Sequence, residues 1–228
     1  MKNKLTTFTA AFLALCVIVG LGYCVILRHK FPSVGIEKVH HVDDLKKLDI
    51  RNQYLMSAGE TKYVTADTSY LEPNTYVLVV RPTGAFHQYR GSFSQDVEVL
   101  DIRAGSGKLE VGDKIQIFRA YGIQYGGGLT ANGIEEGVIG YTLYENVMYP
   151  EYRYLVFVQA SELNRYQTRQ QYYSNKGYPS VINIDAENPR AATEFFNDCR
   201  DIDFFCTTDE AAEKVYQAQR ELMAKYGV

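Results

Sequence analysis

Polar and apolar positions along the 228-residue chain change their spacing three times. Residues 5–27 form one uncharged, largely apolar run. A helix rising about 1.5 Å per residue crosses a ~30 Å hydrocarbon core in about 20 residues, so this run is long enough to span a bilayer. After Pro32 and Gly35, Val42, Leu45 and Leu48 recur at intervals of three, which predicts one or two short helical turns.

From residue 76 onward the spacing is that of strands. Residues 76–80 (Tyr-Val-Leu-Val-Val) are continuously apolar and end at Arg81-Pro82-Thr83-Gly84, a turn signal. Residues 97–102 and 114–118 are apolar at most alternate positions, as half-buried strands are, and turn chemistry at 104–108 and 111–113 separates them. Gly126-Gly127-Gly128 and Asn132-Gly133 punctuate a loop, after which residues 137–143, 152–158 and 181–184 read as further strands. Short strands with frequent turns predict a small antiparallel barrel or sandwich.

The last forty residues return to helical spacing. Asn188-Pro189 predicts a helix opening at Arg190 and running to about Asn197. Thr207 with Glu210 three residues later reads as a capping box for a final helix. Its apolar stripe is Ala211, Val215, Ala218, Leu222 and Tyr226, and Gly227 stops it.

The order of the strand at 76–80, residues 96–102, the Gly107 to Ile117 stretch with its Val111-Gly112-Asp113 step, and Tyr154-Leu155-Val156-Phe157 carries a resemblance. It is similar to uncharacterised extracytoplasmic bacterial domains with small OB-like barrels of the netrin-like and protease-inhibitor type. The resemblance spans about residues 75–160. The chain departs from it in lacking the cysteine scaffold of netrin-like modules and in placing Pro150 and Glu151 where a glycine often precedes the last strand. It implies a barrel and an extracytoplasmic home, and transfers no functional residue. The expected fold is therefore α+β: an N-terminal transmembrane helix in 1–30, a juxtamembrane segment with a short helix in 31–74, a mainly antiparallel OB-like barrel in 75–186, and C-terminal helices packed on it in 187–228.

Residues 5–27 read as a retained signal anchor, because the run exceeds the 7–15-residue core of a cleaved signal peptide; cleavage after Gly22 is the competing reading. A lipoprotein signal is disfavoured by the bulky Leu15 and Tyr23 before Cys16 and Cys24. A short basic N-terminus before a large domain places residues 31–228 outside the cell. Apart from Lys2, Lys4, Arg28 and Lys30, the chain carries 20 basic against 27 acidic residues, which argues against nucleic acid as a partner.

The chemistry-bearing residues are few. Cys199 and Cys206 are seven apart, about 10.5 Å along an unbroken helix and beyond the ~7 Å reach of a disulfide. They are either bridged across a chain reversal or two buried thiols. His40-His41 with Asp43 and Asp44 reads as a solvated helix start rather than a metal site. Glu135-Glu136 and the Asp201/Asp203 pair read as surface charge by default, and His87 as a loop or strand-edge residue. No motif points to a cofactor or metal. Of nineteen tyrosines, eleven fall between 121 and 178. Tyr121, Tyr125, Tyr141, Tyr144 and Tyr149 around Gly126, Gly127 and Gly128 would suit a groove for a protein, peptide or glycan, with cross-strand packing as the alternative. The favoured expectation is a non-catalytic binding module. A hydrolase using carboxylates and a structural subunit docking through the C-terminal stripe are the rivals.

Overall fold

The computed structural model describes residues 39–69, 71–89, 92–120, 122–125, 128–130, 133–135, 139–161, 170–174, 179–186 and 189–228, together with Cys16 and Val19. The chain divides into two units, Met1–Glu37 and Lys38–Val228. The expected anchor at residues 5–27 lies outside the described residues except for Cys16 and Val19, which are helical and exposed. Among the described residues, no helix is long and apolar enough to cross a membrane.

The second unit is built on a closed ring of five strands. Strands β2 (Thr75–Tyr89) and β3 (Ser92–Ala104) form a long antiparallel hairpin, and β4 (Lys114–Ala120) continues the meander. Strand β9 (Tyr154–Ala160) pairs antiparallel with the other edge of β2. Strand β10 (Tyr172–Ser174) closes the ring, antiparallel to β9 and parallel to β4. Beside β10, β11 (Val181–Asn183) pairs with the first half of β9.

Alternation decides what fills the ring. Tyr76, Leu78, Val80, Val97, Val99, Ile115, Ile117, Val156 and Val158 form one buried cluster with Met148. The other face of β2 and β9, with Val77, Val79, Leu155 and Phe157, packs with Ile182 against Leu222 of the C-terminal helix (Asp209–Lys225). The predicted apolar stripe of that helix is thus split: Leu222 and Tyr226 pack on the sheet, with Tyr226 edge-on to Phe157 at 5.6 Å, while Ala211, Val215 and Ala218 pack with Met56, Val64, Phe204 and Cys206.

Four expectations need correction. The turn signal at Pro82-Thr83-Gly84 does not end β2, which continues to Tyr89 through a register shift between Pro82 and Phe86. Such irregularities bend a strand without breaking it, as a barrel requires. Gly84 has φ 88° there, and a side chain on it would fall 2.0 Å from Nε2 of His41. The helix predicted from Arg190 to Asn197 does not form. The Asn52 N–H donates to Glu194 O, the Ala192 N–H to Cys206 O, and the Ala191 N–H to Asp209, so tertiary hydrogen bonds hold this stretch extended. Only a 3-10 turn, Phe196–Cys199, follows, leaving one C-terminal helix rather than several. The helix cap is Thr208, whose side chain accepts from Ala211 N, because the Thr207 N–H is drawn to Met56 O. Finally, the Gly-rich stretch after β4 carries structure of its own. Strands β5 (Ile123–Tyr125) and β8 (Ile139–Tyr141) join β1 (Ile50–Asn52) in a three-stranded sheet, and β6 (Gly128–Thr130) pairs with β7 (Gly133–Glu135).

The short turn before β1 matches its spacing: Val42–Lys47 is a 3-10 helix with Val42 and Leu45 buried. His41 caps it by accepting from Asp43 N while Asp44 returns to the His41 N–H. These histidines therefore serve a helix start, and no group of metal-ligating residues occurs among the described residues. Because Leu222 is fully buried at the helix–sheet contact, Leu222→Ala is expected to cost about 2–5 kcal/mol, read from urea unfolding of the full chain. A loss under about 1 kcal/mol would show that the helix contributes little to the fold.

Candidate binding face and the ion pair behind it

The register that sends Phe86, Phe93, Gln95, Ile117 and Arg119 inward sends their neighbours to the outer face of β2, β3, β4 and β10. There Tyr89 stands opposite Ser92, and His87 opposite Ser94. On β4, Phe118 stands opposite Ser94 and Gln116 opposite Asp96, and Tyr173 of β10 pairs with Phe118. The C-terminal helix packs elsewhere on the ring, against Val77 and Val79 of β2, Leu155 and Phe157 of β9 and Ile182 of β11.

This outer face carries a row of three rings. Tyr89 and Phe118 have centroids 5.5 Å apart, and Phe118 and Tyr173 5.4 Å apart, each pair tilted by 32°. Phe118 in the middle is only 9% exposed, whereas Tyr89 and Tyr173 remain 43% and 41% exposed. Beside the row, Asp96 Oδ1 lies 3.1 Å from His87 Nε2 and accepts from Gln116 Nε2 at 3.4 Å. Ser94, in register between His87 and Phe118, is buried, and its Oγ has no hydrogen-bond partner among the described residues. The face thus offers stacking surface flanked by a carboxylate, an amide and an imidazole.

Behind it, inside the ring, lies a charged pair. Arg119 and Glu145 side chains are both 2% exposed, with Nη2 to Oε2 at 2.6 Å. Arg119 Nη1 also donates to Asn146 O at 2.5 Å. Glu145 accepts from Ser180 Oγ at 2.6 Å, from the Ser180 N–H, and from the Val181 N–H at 3.2 Å. Asn146 Nδ2 donates to Cys199 O and Ile202 O, and Gln95 exchanges hydrogen bonds with both backbone groups of Met148. Both Nη atoms of Arg119 and both carboxylate oxygens of Glu145 are spent on the protein itself, so the pair acts as a structural clamp.

A second carboxylate lies nearby. Asp203 is half-buried at a solvent-open recess lined also by Arg190, Phe204, Val215, Tyr216 and Gln219. Burial pushes its pKa up to about 7, with the charge of Glu145 adding to the rise; the Asn183 N–H, Gln219 and Arg119 pull the other way. Gln219 Nε2 donates to Asp203 Oδ2 at 2.7 Å, joining the C-terminal helix to the segment before it. Asp201 points elsewhere, to Arg190 at 2.6 Å.

Of the tyrosines expected to line a groove, the described ones with placed side chains face different neighbours. Tyr141 is fully buried against Phe196 and Phe205 and donates its hydroxyl to Glu145 O at 2.6 Å. Tyr144 is half-buried between Tyr54 and Phe204, and Tyr149 is buried under Arg200, whose guanidinium is 4.4 Å from its ring centroid. Tyr125 lies in β5, Gly128 in β6 and Glu135 in β7; Tyr121, Gly126, Gly127 and Glu136 lie outside the described residues. Cys199 and Cys206 are both free and buried. Cys199 Sγ accepts from Asn52 Nδ2 and Thr193 N, and burial raises the Cys206 thiol to about 12.

Sequence reasoning missed Tyr89, Asp96, Gln116, Phe118 and Tyr173 as a group. The alternation of 114–118 does place Gln116 and Phe118 on the face opposite Ile115 and Ile117, and an outward phenylalanine was the available signal. Comparison with protein-family models and with curated proteins finds no match.

Two expectations follow from the buried charges. Glu145→Ala strands Arg119 in the ring and is expected to cost about 3–5 kcal/mol in urea unfolding, while Glu145→Gln, which keeps an acceptor for Ser180, costs less. Equal costs would mean that the retained acceptor contributes nothing and the lost charge accounts for the whole effect. For Asp203, the folded pKa stands above the ordinary value of about 4, so the folded state holds its proton more tightly than the unfolded chain. Its contribution to stability is therefore undiminished below about pH 4 and declines as pH rises to about 7. Relative to wild type, Asp203→Asn should gain stability across that interval, measured by urea midpoints at each pH; a pH-independent difference would contradict this.

Proposed function

We propose that the chain is a non-catalytic binding module, held at the outer side of a bacterial-type membrane by its N-terminal hydrophobic run, which captures its ligand on the aromatic outer face of an OB-like barrel. The observation that carries the binding reading is the exposure of Tyr89 and Tyr173 on either side of Phe118, on the side of the ring that the C-terminal helix leaves uncovered. Exposed aromatic rings beside spare hydrogen-bonding groups are expensive to leave in water and characteristic of recognition surfaces.

Connectivity supports the OB-like assignment. Numbering only the ring strands, the order is 1-2-3-5-4, with the third and fifth parallel, as in OB barrels. The 5–27 run supports the anchor, and the acidic balance of the remainder disfavours polyanions as ligands. Binding is favoured over hydrolysis because Glu145 is committed to Arg119, Ser180 and Val181, and Asp203 to Gln219 and Asn183.

Fractionation of cells making the full chain tests the anchor. The protein should stay with membranes through alkaline carbonate extraction, and added protease should digest the barrel on intact cells. Recovery in the soluble fraction with residues 1–27 still attached would overturn this part. For the face, the full chain and a Tyr89→Ala/Tyr173→Ala variant are compared on immobilised oligosaccharides and peptides. Capture should weaken about tenfold or more in the variant, equivalent to about 1.4 kcal/mol; unchanged capture would remove the face from the proposal.

A further inference from the structure

The shape and chemistry of the aromatic face also restrict what it can hold. Resting on the binding role proposed above, we infer that its ligand is an uncharged oligosaccharide laid across Tyr89 and Tyr173, with its hydroxyls hydrogen-bonded to Asp96, Gln116 and His87.

The restriction begins with Phe118. It packs within 5.5 Å of Tyr89 and 5.4 Å of Tyr173, and with only 9% of its surface exposed it fills the space between them. A proline-rich or apolar peptide binds by dropping side chains into slots between aromatic rings, and here the slot is occupied. What remains is the exposed surface of two separated rings. A pyranose suits such a surface: one face of the ring is lined with C–H groups, and its rim carries hydroxyls that both donate and accept.

The polar groups along the row fit that rim. Asp96 uses Oδ1 for His87 and Gln116, while Oδ2 has no hydrogen-bond partner among the described residues. An ionised carboxylate accepts only, so it calls for donors such as sugar hydroxyls, and it repels a sulfate or phosphate. The Gln116 amide supplies both a donor and an acceptor, and His87 offers its second ring nitrogen. Neighbouring outward charges alternate in sign: Glu98 stands between Arg81 and Lys114 in register, and Asp96 adds a second acid, so the described residues form no continuous cationic track for a polyanion to follow.

The test uses the full chain in detergent micelles, titrated with chitohexaose, cellohexaose, maltohexaose and laminarihexaose, with a heparin hexasaccharide and decaproline as the charged and peptide probes. Tyrosine fluorescence and calorimetry read binding. At least one neutral hexaose should bind, with an affinity that barely changes between about 0.05 and 0.5 M salt, since no ion pair is involved. Tyr89→Ala and Tyr173→Ala should each weaken it about tenfold, and Asp96→Asn should weaken it without altering the fold seen by circular dichroism. Two results would overturn the sugar class: no neutral hexaose binding, or binding that survives the Tyr89→Ala/Tyr173→Ala change. Capture of heparin or decaproline that the double variant loses would also overturn it, while upholding the face as a binding surface. Silence from every probe would count against both.

Discussion

An arginine placed inside a barrel is the constraint around which this fold is arranged. The alternation that carries Ile115 and Ile117 into the core carries Arg119 in with them, and a lone guanidinium there would be ruinously short of solvent. Glu145 answers the charge, but its carboxylate has more lone pairs than Arg119 can use. Ser180 and Val181 take the surplus, which brings the start of β11 to the ring. Asn146, next in the chain, carries the network on to Cys199 and Ile202. One buried cation thus organises three segments far apart in sequence. Replacing such a pair by apolar residues often stabilises a protein, so its value lies in fixing where those segments meet.

That arrangement also makes the ring lopsided. With β11 held beside β9, the sheet on that side is wide and apolar enough to take the C-terminal helix, and Leu222, Met223 and Tyr226 settle on it. The face carrying Tyr89, Phe118 and Tyr173 receives no such cover from the C-terminal helix. Its acid and amide positions tolerate water, and the rings of Tyr89 and Tyr173 stand exposed among them.

Several of these features could be read from residue order. The β-branched runs, the Val111-Gly112-Asp113 turn and the C-terminal stripe each depend on neighbours within one or two turns, and such patterns survive folding intact. Pro82 and Gly84 misled because turn chemistry and a β-bulge use the same residues, and only the partner strand distinguishes them. The segment opened by Arg190 misled for a related reason: local helical preference lost to acceptors supplied by Cys206 and Asp209, both distant from it in the chain. The tyrosine count pointed to aromatic recognition, yet Tyr141 and Tyr149 went to interior packing while Tyr173 of the same stretch stands exposed. Tyr89 and Tyr173 are 84 positions apart and meet only because β10 closes the ring beside β4.

That closure is slender. Strand β10 has three residues, and only Tyr172 and Tyr173 face partners on β4, in the parallel arrangement. It is the thinnest joint of the barrel, and one end of the aromatic row is mounted on it. Any molecule resting on both Tyr89 and Tyr173 therefore straddles the gap between β4 and β10 like a staple. Occupying the surface and keeping the barrel shut would then be a single event, with the bound chain reinforcing the joint where the protein's own hydrogen bonds are fewest.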